Sequence, residues 1–202
     1  MKLIMFAGPN GSGKSTLIND SLNDPDNRGL LYIGPDSFFS LLYPNPPSDP
    51  EEYRQCYIES MQLSESFRRI LVNKGTDFIF ETVFSTIEKV EFLREAKDRG
   101  YMVSVNFVTT YDPEINIARV AQRVAEFGHD VPKDKIVARY YRSMNQLQYL
   151  FDIADELSIF DNSSRYCRLV YQHNESQYYL NPNFKHTSWV NKYVTPFLQN
   201  HL

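Results

Sequence analysis

Residues 8–16 read Gly-Pro-Asn-Gly-Ser-Gly-Lys-Ser-Thr, directly after an apolar run at residues 3–7. This pattern, G-x-x-x-x-G-K-[ST] between a strand and a helix, has the spacing and the context of a phosphate-binding loop. Its glycines let the backbone aim N–H groups at an anion lying at the mouth of a helix, where the helix dipole also favours negative charge. The loop therefore predicts a site for a nucleoside triphosphate.

Two side chains of the loop have specific roles in such sites. Lys14 reaches the β- and γ-phosphates, and the hydroxyl of Ser15 can ligate Mg²⁺. The predicted nucleotide-binding residues are Gly8, Pro9, Asn10, Gly11, Ser12, Gly13, Lys14, Ser15, Thr16 and Asn162. Asn162 follows the last predicted parallel strand, where kinases with this loop often contact adenine; a plain turn is the alternative interpretation there.

Strand and helix patterns alternate along the chain, which is typical of a mostly parallel sheet flanked by helices. We predict an α/β fold of the P-loop nucleotide-kinase type, as a single domain over residues 1–202. Five parallel strands are expected at residues 2–7, 30–33, 77–80, 101–108 and 157–160. Helices at 114–126 and 133–150 would form a lid, and residues 165–202 would add a β-hairpin and a helix at 187–198.

Composition limits the partners and the compartment. The net charge of −4 gives no overall attraction to nucleic acid or to an anionic membrane, and neither is expected as a partner. Cys56 and Cys167 lack metal-ligand spacing, so reduced thiols are expected. The apolar run before the loop is about five residues, shorter than the core of a secretory signal. We therefore expect a soluble, cytoplasmic protein.

The phosphate-binding loop also occurs in transporter ATPases and GTPases, but the rest of the chain argues against both classes. The Ser-Gly-Gly-Gln signature of transporter ATPases is absent, and the sequence Asp155-Glu156 follows a broken apolar run. The guanine-binding pattern Asn-Lys-x-Asp is also missing, because residues 73–76 read Asn-Lys-Gly-Thr. A small-molecule kinase remains the preferred class.

Two carboxylates follow predicted strands, at the edge of a parallel sheet where ligands collect. Asp36 comes just after the second strand and could accept the proton of an acceptor hydroxyl; an N-cap for a helix at 37–42 is the alternative. Glu81 follows the third strand and could hold Mg²⁺ through water, with a surface or helix-start carboxylate as the alternative. Neither position alone decides between these roles.

Four arginines fall on the two predicted lid helices. Arg119 and Arg123 are spaced i, i+4, and Arg139 and Arg142 are spaced i, i+3. Arginine gives permanently charged, bidentate donors that suit phosphate, whereas solvated helix faces are the alternative for each residue alone. His129, in the loop between the helices, is a further candidate for binding substrate or its phosphate, with a helix cap or no role as the alternatives.

Several segments, taken in order, resemble the zeta-toxin family of kinases. They are the phosphate-binding loop and residues 33–36, 80–85, 119–124, 128–132, 136–143 and 161–163, which together span residues 1–164. The resemblance implies a kinase core that uses ATP and Mg²⁺. Its better-known members phosphorylate UDP-N-acetylglucosamine, so a small-molecule hydroxyl acceptor, such as this or another nucleotide-sugar, is implied for this chain.

The resemblance also implies roles for individual residues. Lys14 and Ser15 would bind the nucleotide phosphates and the metal, and Asp36 would be the general base. Glu81 and Thr82 would contact the acceptor or the metal shell, and one or two lid arginines would stabilise the transferring phosphoryl group. The lid segment differs from that of the best-known toxins, and this leaves the choice of arginines open.

Two other functions remain open at this point. A nucleotide-dependent switch could bind a protein such as an antitoxin, with the tyrosine-rich tail and Trp189 as its docking surface. A plain ATPase would release phosphate without any acceptor.

Overall fold

The central sheet defines the architecture of the chain. The computed structural model describes residues 1–125, 131–174 and 176–198. In that part of the chain the strands are β1 (Lys2–Ala7), β2 (Leu31–Ile33), β3 (Phe78–Thr82), β4 (Met102–Thr109), β5 (Glu156–Asp161), β6 (Arg168–His173) and β7 (Tyr178–Leu180). They form one sheet in the order β2-β3-β1-β4-β5-β6-β7.

The first five strands of this sheet are parallel, as the alternating sequence pattern predicts. The predicted hairpin also forms, and it extends the sheet because β6 pairs antiparallel with β5. The predicted α/β fold, with a mostly parallel sheet flanked by helices, is therefore confirmed.

Helices connect the parallel strands and follow the hairpin. They are α1 (Lys14–Leu22), α2 (Pro35–Leu42), α3 (Pro50–Lys74), α4 (Ile87–Asp98), α5 (Pro113–Ala125), α6 (Lys133–Ile153), α7 (Ser188–Tyr193) and α8 (Thr195–Leu198). The single helix expected at 187–198 is two short helices. Pro196 explains the break, because it has no N–H to continue the bonding of α7 and suits the first turn of a new helix.

The two faces of the sheet are covered differently. Helices α3, α4, α6 and α7 pack on one face and bury the main apolar core, which contains Val103, Val105 and Phe107 of β4. On the other face Ile18 of α1 packs against Ile4 and neighbouring apolar residues. Ser104 and Asn106 of β4 and Ser158 of β5 are half-buried and alternate with buried apolar residues, so this part of the face beside α1 is polar.

The aromatic tail contributes to the main core. Trp189 is 4% exposed and lies in the core cluster with Tyr193. The prediction that Trp189 belongs to a docking surface is therefore wrong, because this chain already covers its ring. Exposed tyrosines of the same region are Tyr166, Tyr178 and Tyr179.

Two further observations concern the whole described chain. Cys56 and Cys167 are free thiols. None of the described helices combines the length and the apolar character needed to cross a lipid bilayer.

Strand register brings three predicted site segments to one edge of the sheet. Phe6 of β1 pairs with Glu81 of β3, and Ile33 of β2 pairs with Phe80. The loop after β1, the start of α2 after β2 and the end of β3 therefore lie side by side at the carboxyl edge, where ligands of parallel α/β sheets bind.

Candidate active site

The loop after β1 has the backbone shape that a phosphate site needs. Gly8 has φ 140°, and a Cβ atom built on it would lie 2.0 Å from the carbonyl oxygen of Val108. A side chain is thus excluded where the loop passes over β4. Helix α1 starts at Lys14 after Gly13, and among the described side chains none caps its first N–H groups. Those donors are available to an anion.

Lys14 is held inside this loop. Its Nζ donates to the carbonyl oxygens of Gly8 at 2.9 Å and Pro9 at 3.0 Å. The residue is 9% exposed, and burial lowers the pKa of its ammonium group from 10.5 to about 8, although the nearby Glu81 opposes that change. Phosphate oxygens at this place would stabilise the charged form of the side chain.

A cavity of about 280 Å³ opens above the loop. Its lining residues come from the loop, α2, α3, β3 and α5: Asn10, Gly11, Gly13, Lys14, Ser15, Pro35, Asp36, Tyr57, Glu81, Thr82, Val83, Arg119 and Arg123. We call this the phosphate cavity. It brings together the loop, both predicted carboxylates and the first pair of predicted arginines. Among the described residues, Nη1 of Arg119 is buried without a hydrogen-bond partner.

Asp36 lies at the rim of the phosphate cavity, in the first turn of α2. The N-cap of that helix is Gly34, so the alternative role of Asp36 as an N-cap is wrong. The helix starts at Pro35, two residues earlier than predicted, because proline suits the first helical residue. The carboxylate instead accepts a hydrogen bond from the hydroxyl of Tyr57, with an Oη–Oδ1 distance of 2.8 Å.

Glu81 belongs to β3, which is longer than predicted and includes Thr82. The hydroxyl of Tyr32 donates to Oε1 of Glu81 at 2.6 Å, and Arg68 donates to the backbone carbonyl of Glu81 at 3.2 Å. Thr82 is buried and its Oγ1 accepts the N–H of Phe84 at 3.2 Å. The fixed Glu81 carboxylate and the exposed Ser15 hydroxyl line the same cavity.

The donors in the phosphate cavity fit Mg²⁺. This ion takes hard oxygen ligands and keeps several waters, so it is usually bound by one or two protein groups together with phosphates. Glu81 and Ser15 supply such oxygens. No group of three or more His, Cys, Asp and Glu side chains that could enclose a metal occurs in the described ranges.

A second cavity, of about 650 Å³, adjoins the first and is lined mainly by α3, the segment after β3 and α6. We call it the acceptor cavity. The two cavities share Asn10, Pro35, Tyr57, Glu81, Thr82 and Val83. Arg139 and Arg142 line the acceptor cavity and not the phosphate cavity. The two pairs of lid arginines therefore face different spaces.

The wall of the acceptor cavity after β3 has an unusual backbone. Phe84 has φ 54° and is fully buried, which is rare for a large side chain. The loop is fastened to α6, because Oγ of Ser143 donates to the carbonyl of Val83 at 2.8 Å. Strain of this kind is tolerated where surrounding contacts hold it, and it often accompanies binding sites.

Helices α5 and α6 are joined to the loop through Asn10. Nδ2 of the buried Asn116 donates to the Asn10 carbonyl at 2.6 Å, and Nη1 of Arg139 lies 3.5 Å from Asn10 Oδ1. Asn162 donates to the Ser12 carbonyl at 2.8 Å and lines neither cavity. His129 lies outside the described residues.

Sequence reasoning missed three side chains that shape this site. Tyr32 and Tyr57 bind the two carboxylates, and Asn116 binds the loop. Tyr32 follows a recognisable signal, since it lies in the strand before Asp36. Tyr57 and Asn116 are distant in sequence from every motif, and only the packing of α3 and α5 brings them to the site.

A sequence profile of the zeta toxin family matches residues 2–176 of this chain. The chain belongs to the zeta-toxin family. An uncharacterized protein from Haemophilus influenzae is 28% identical over 139 residues, which cover 69% of this chain and 92% of that protein.

Solved structures share the fold of this family member. A chain of the AvrRxo1-ORF1:AvrRxo1-ORF2 complex with sulphate ions has a TM-score of 0.73 at 16% identity, covering 96% of this chain. This chain spans 64% of the length of that neighbour. A chain of the PezAT chromosomal toxin–antitoxin system of Streptococcus pneumoniae has a TM-score of 0.57 at 21% identity, covering 82% of this chain and 71% of that one.

Proposed function

We propose that this chain is an ATP-dependent kinase that transfers a γ-phosphoryl group to a hydroxyl of a small molecule. The observation that carries the proposal is the convergence of Lys14, Asp36 and Glu81 on one cavity that opens into a larger one. Membership in the zeta-toxin family supports it. A nucleotide-sugar such as UDP-N-acetylglucosamine is the first acceptor to test.

The phosphate cavity would bind the triphosphate of ATP. The N–H groups at the start of α1 and the ammonium group of Lys14 would bind the β- and γ-phosphates, with Ser15 and Glu81 as the groups that would hold Mg²⁺. Bound Mg²⁺ supplies positive charge that neutralises the phosphate oxygens during transfer. Arg119 and Arg123 lie on the same cavity, and their charge would stabilise the transferring phosphoryl group.

Asp36 would act as the general base. It lies on the phosphate cavity, next to the residues that the two cavities share, so an acceptor in the second cavity can present a hydroxyl to its carboxylate. The carboxylate would take the hydroxyl proton as the oxygen attacks the γ-phosphorus, and ADP would leave.

The acceptor cavity carries a row of cations from one helix. Lys135, Arg139 and Arg142 of α6 all line it, at spacings that place them along one helix face. Burial and the neighbouring Arg142 lower the pKa of Arg139. A row of this kind suits an acceptor that has its own phosphates, and this favours a nucleotide-sugar over an uncharged alcohol.

The test is ATP consumption with Mg²⁺ against a panel of UDP-sugars, nucleosides and uncharged alcohols. We expect turnover that depends on an acceptor and that Asp36→Asn lowers by about a hundredfold or more, to a small residual rate, while ATP still binds. Asp152→Asn, on the exposed side of α6, is the matched carboxylate control and should transfer normally. Normal transfer by Asp36→Asn would remove Asp36 as the base.

Phosphate release at the same rate with and without every acceptor would instead indicate a plain ATPase. A protein partner is a second proposal, because the PezAT neighbour comes from a toxin–antitoxin system. A pull-down of the chain with and without ATP tests it. A partner retained only with ATP would indicate a nucleotide-dependent switch, and an antitoxin would be expected to inhibit the kinase.

A further inference from the structure

Tyr57 lies where the phosphate cavity and the acceptor cavity meet. It lines both of them, and it comes from α3, the longest described helix. Its hydroxyl donates to Oδ1 of Asp36 at 2.8 Å. Asp36 is exposed, so without this bond its side chain would be free to sample several rotamers. One phenol thus fixes the group that has been assigned as the base.

Tyr57 is itself well fixed. Its ring lies 5.6 Å, centroid to centroid, from the ring of Phe39, a buried residue of α2. Burial, followed by the neighbouring Asp36 carboxylate, holds the pKa of the Tyr57 phenol well above its ordinary value. The phenol therefore stays protonated at working pH and can only donate to the carboxylate.

A hydrogen bond to one oxygen of a carboxylate fixes the orientation of the group, and this also sets the direction of the second oxygen. We propose that Tyr57 is a positioning residue that binds Oδ1 of Asp36, so that Oδ2 points to the acceptor hydroxyl entering from the acceptor cavity. This inference rests on the proposed kinase function and adds a residue to it. Tyr57 would act by orienting the base, because a general base must lie within hydrogen-bond reach of the proton it takes.

The same pair of helices offers a matched control. The hydroxyl of Tyr43, at the end of α2, donates to Glu59 of α3, and its ring lies 5.5 Å from Phe39. Tyr43 lines neither cavity. Tyr43→Phe therefore removes a phenol–carboxylate bond between α2 and α3 without touching Asp36, and both Phe variants keep their ring contacts.

The experiment measures acceptor-dependent transfer, ATP affinity and thermal unfolding for the wild type and both variants. Tyr57→Phe should lower kcat about ten- to a hundredfold, with the KM for ATP changed by less than about twofold. Tyr43→Phe should match the wild type in kcat. A merely structural role for Tyr57 would change thermal unfolding in both variants alike and leave kcat unaffected.

A double variant tests whether Tyr57 acts through Asp36. Transfer by Asp36→Asn with Tyr57→Phe should be no lower than transfer by Asp36→Asn alone, because the two residues share one role. A further loss in the double variant would overturn the inference, as would normal kcat in Tyr57→Phe. A phosphoryl group found on Tyr57 by mass spectrometry of the protein after incubation with ATP would also overturn it, since Tyr57 would then be an acceptor.

The two proposals fail in different ways. If the wild type transfers phosphate and Asp36→Asn does not, but Tyr57→Phe is normal, the positioning role alone is wrong. If the wild type binds ATP but transfers to no acceptor, the kinase proposal is wrong and the inference fails with it.

Discussion

Asn162 and Gly13 are in close contact across the start of α1. Nδ2 of Asn162 donates to the carbonyl of Ser12, and a Cβ atom built on Gly13 would lie 2.2 Å from the same nitrogen. The backbone of Asn162 is fixed as well, because its N–H donates to the carbonyl of Thr109 at 2.8 Å. The loop after β5 thus supports the phosphate-binding loop from behind.

Gly13→Ala should therefore weaken ATP binding by about tenfold or more. Gly13 has φ 94°, which L side chains rarely adopt, and the added methyl group would also displace the Asn162 amide. The measurement is the Kd for ATP by isothermal titration calorimetry, with thermal unfolding of each variant.

Gly29 is the matched control for backbone strain. It has φ 90°, but nothing lies within 4 Å of a Cβ atom built on it. Gly29→Ala should cost about 1 kcal/mol of stability from φ strain and leave the Kd for ATP unchanged. Equal effects of the two substitutions on ATP binding would show that the contact with Asn162 is unimportant.

The sequence predicted the parts of the site that follow parallel strands. The loop after β1, Asp36 after β2 and Glu81 on β3 meet because strand order and register place their carboxyl ends together. Site residues on long helices are harder to predict from the sequence, because small changes in helix packing decide which of them reach a cavity. Spacing alone paired the arginines on α5 and α6, and it could not show that the two pairs face different cavities.

ATP binding should take up protons near pH 8. Burial lowers the pKa of Lys14 to about 8, so about half of the Lys14 side chains are protonated at pH 8. Triphosphate oxygens favour the charged form and raise that pKa again, which draws about half a proton from the buffer at pH 8. At pH 6 Lys14 is already charged, and its contribution to uptake should vanish.

Calorimetry of Mg-ATP binding in buffers with different ionisation enthalpies measures this uptake. Lys14→Met should bind ATP weakly and remove the buffer dependence at pH 8. A binding enthalpy that is the same in all buffers for the wild type would contradict the lowered pKa of Lys14.

Asn116→Ala should destabilise the chain and weaken ATP binding together. Asn116 is fully buried, and it links α5 to the loop by donating to Asn10 and accepting from the Thr110 hydroxyl. Loss of the amide leaves buried polar groups without their partner, at a cost of about 1–3 kcal/mol in the free energy of unfolding. Urea unfolding and the Kd for ATP are the measurements.

Asn145→Ala, on the exposed side of α6, is the control for that experiment and should be nearly neutral. If Asn116→Ala loses stability but binds ATP normally, the amide contributes to the core alone and does not hold the loop.

Trp189→Ala should be strongly destabilising. The indole is 4% exposed and belongs to the main core, so its removal should cost about 3–5 kcal/mol in the free energy of unfolding. Tyr178→Ala, at a side chain 46% exposed, should change this free energy by less than about 0.5 kcal/mol. Since the chain has one tryptophan, its fluorescence reports unfolding of the wild type directly, with circular dichroism for Trp189→Ala. Unfolding of Trp189→Ala at the wild-type urea concentration would mean that the tail does not pack on the sheet in solution.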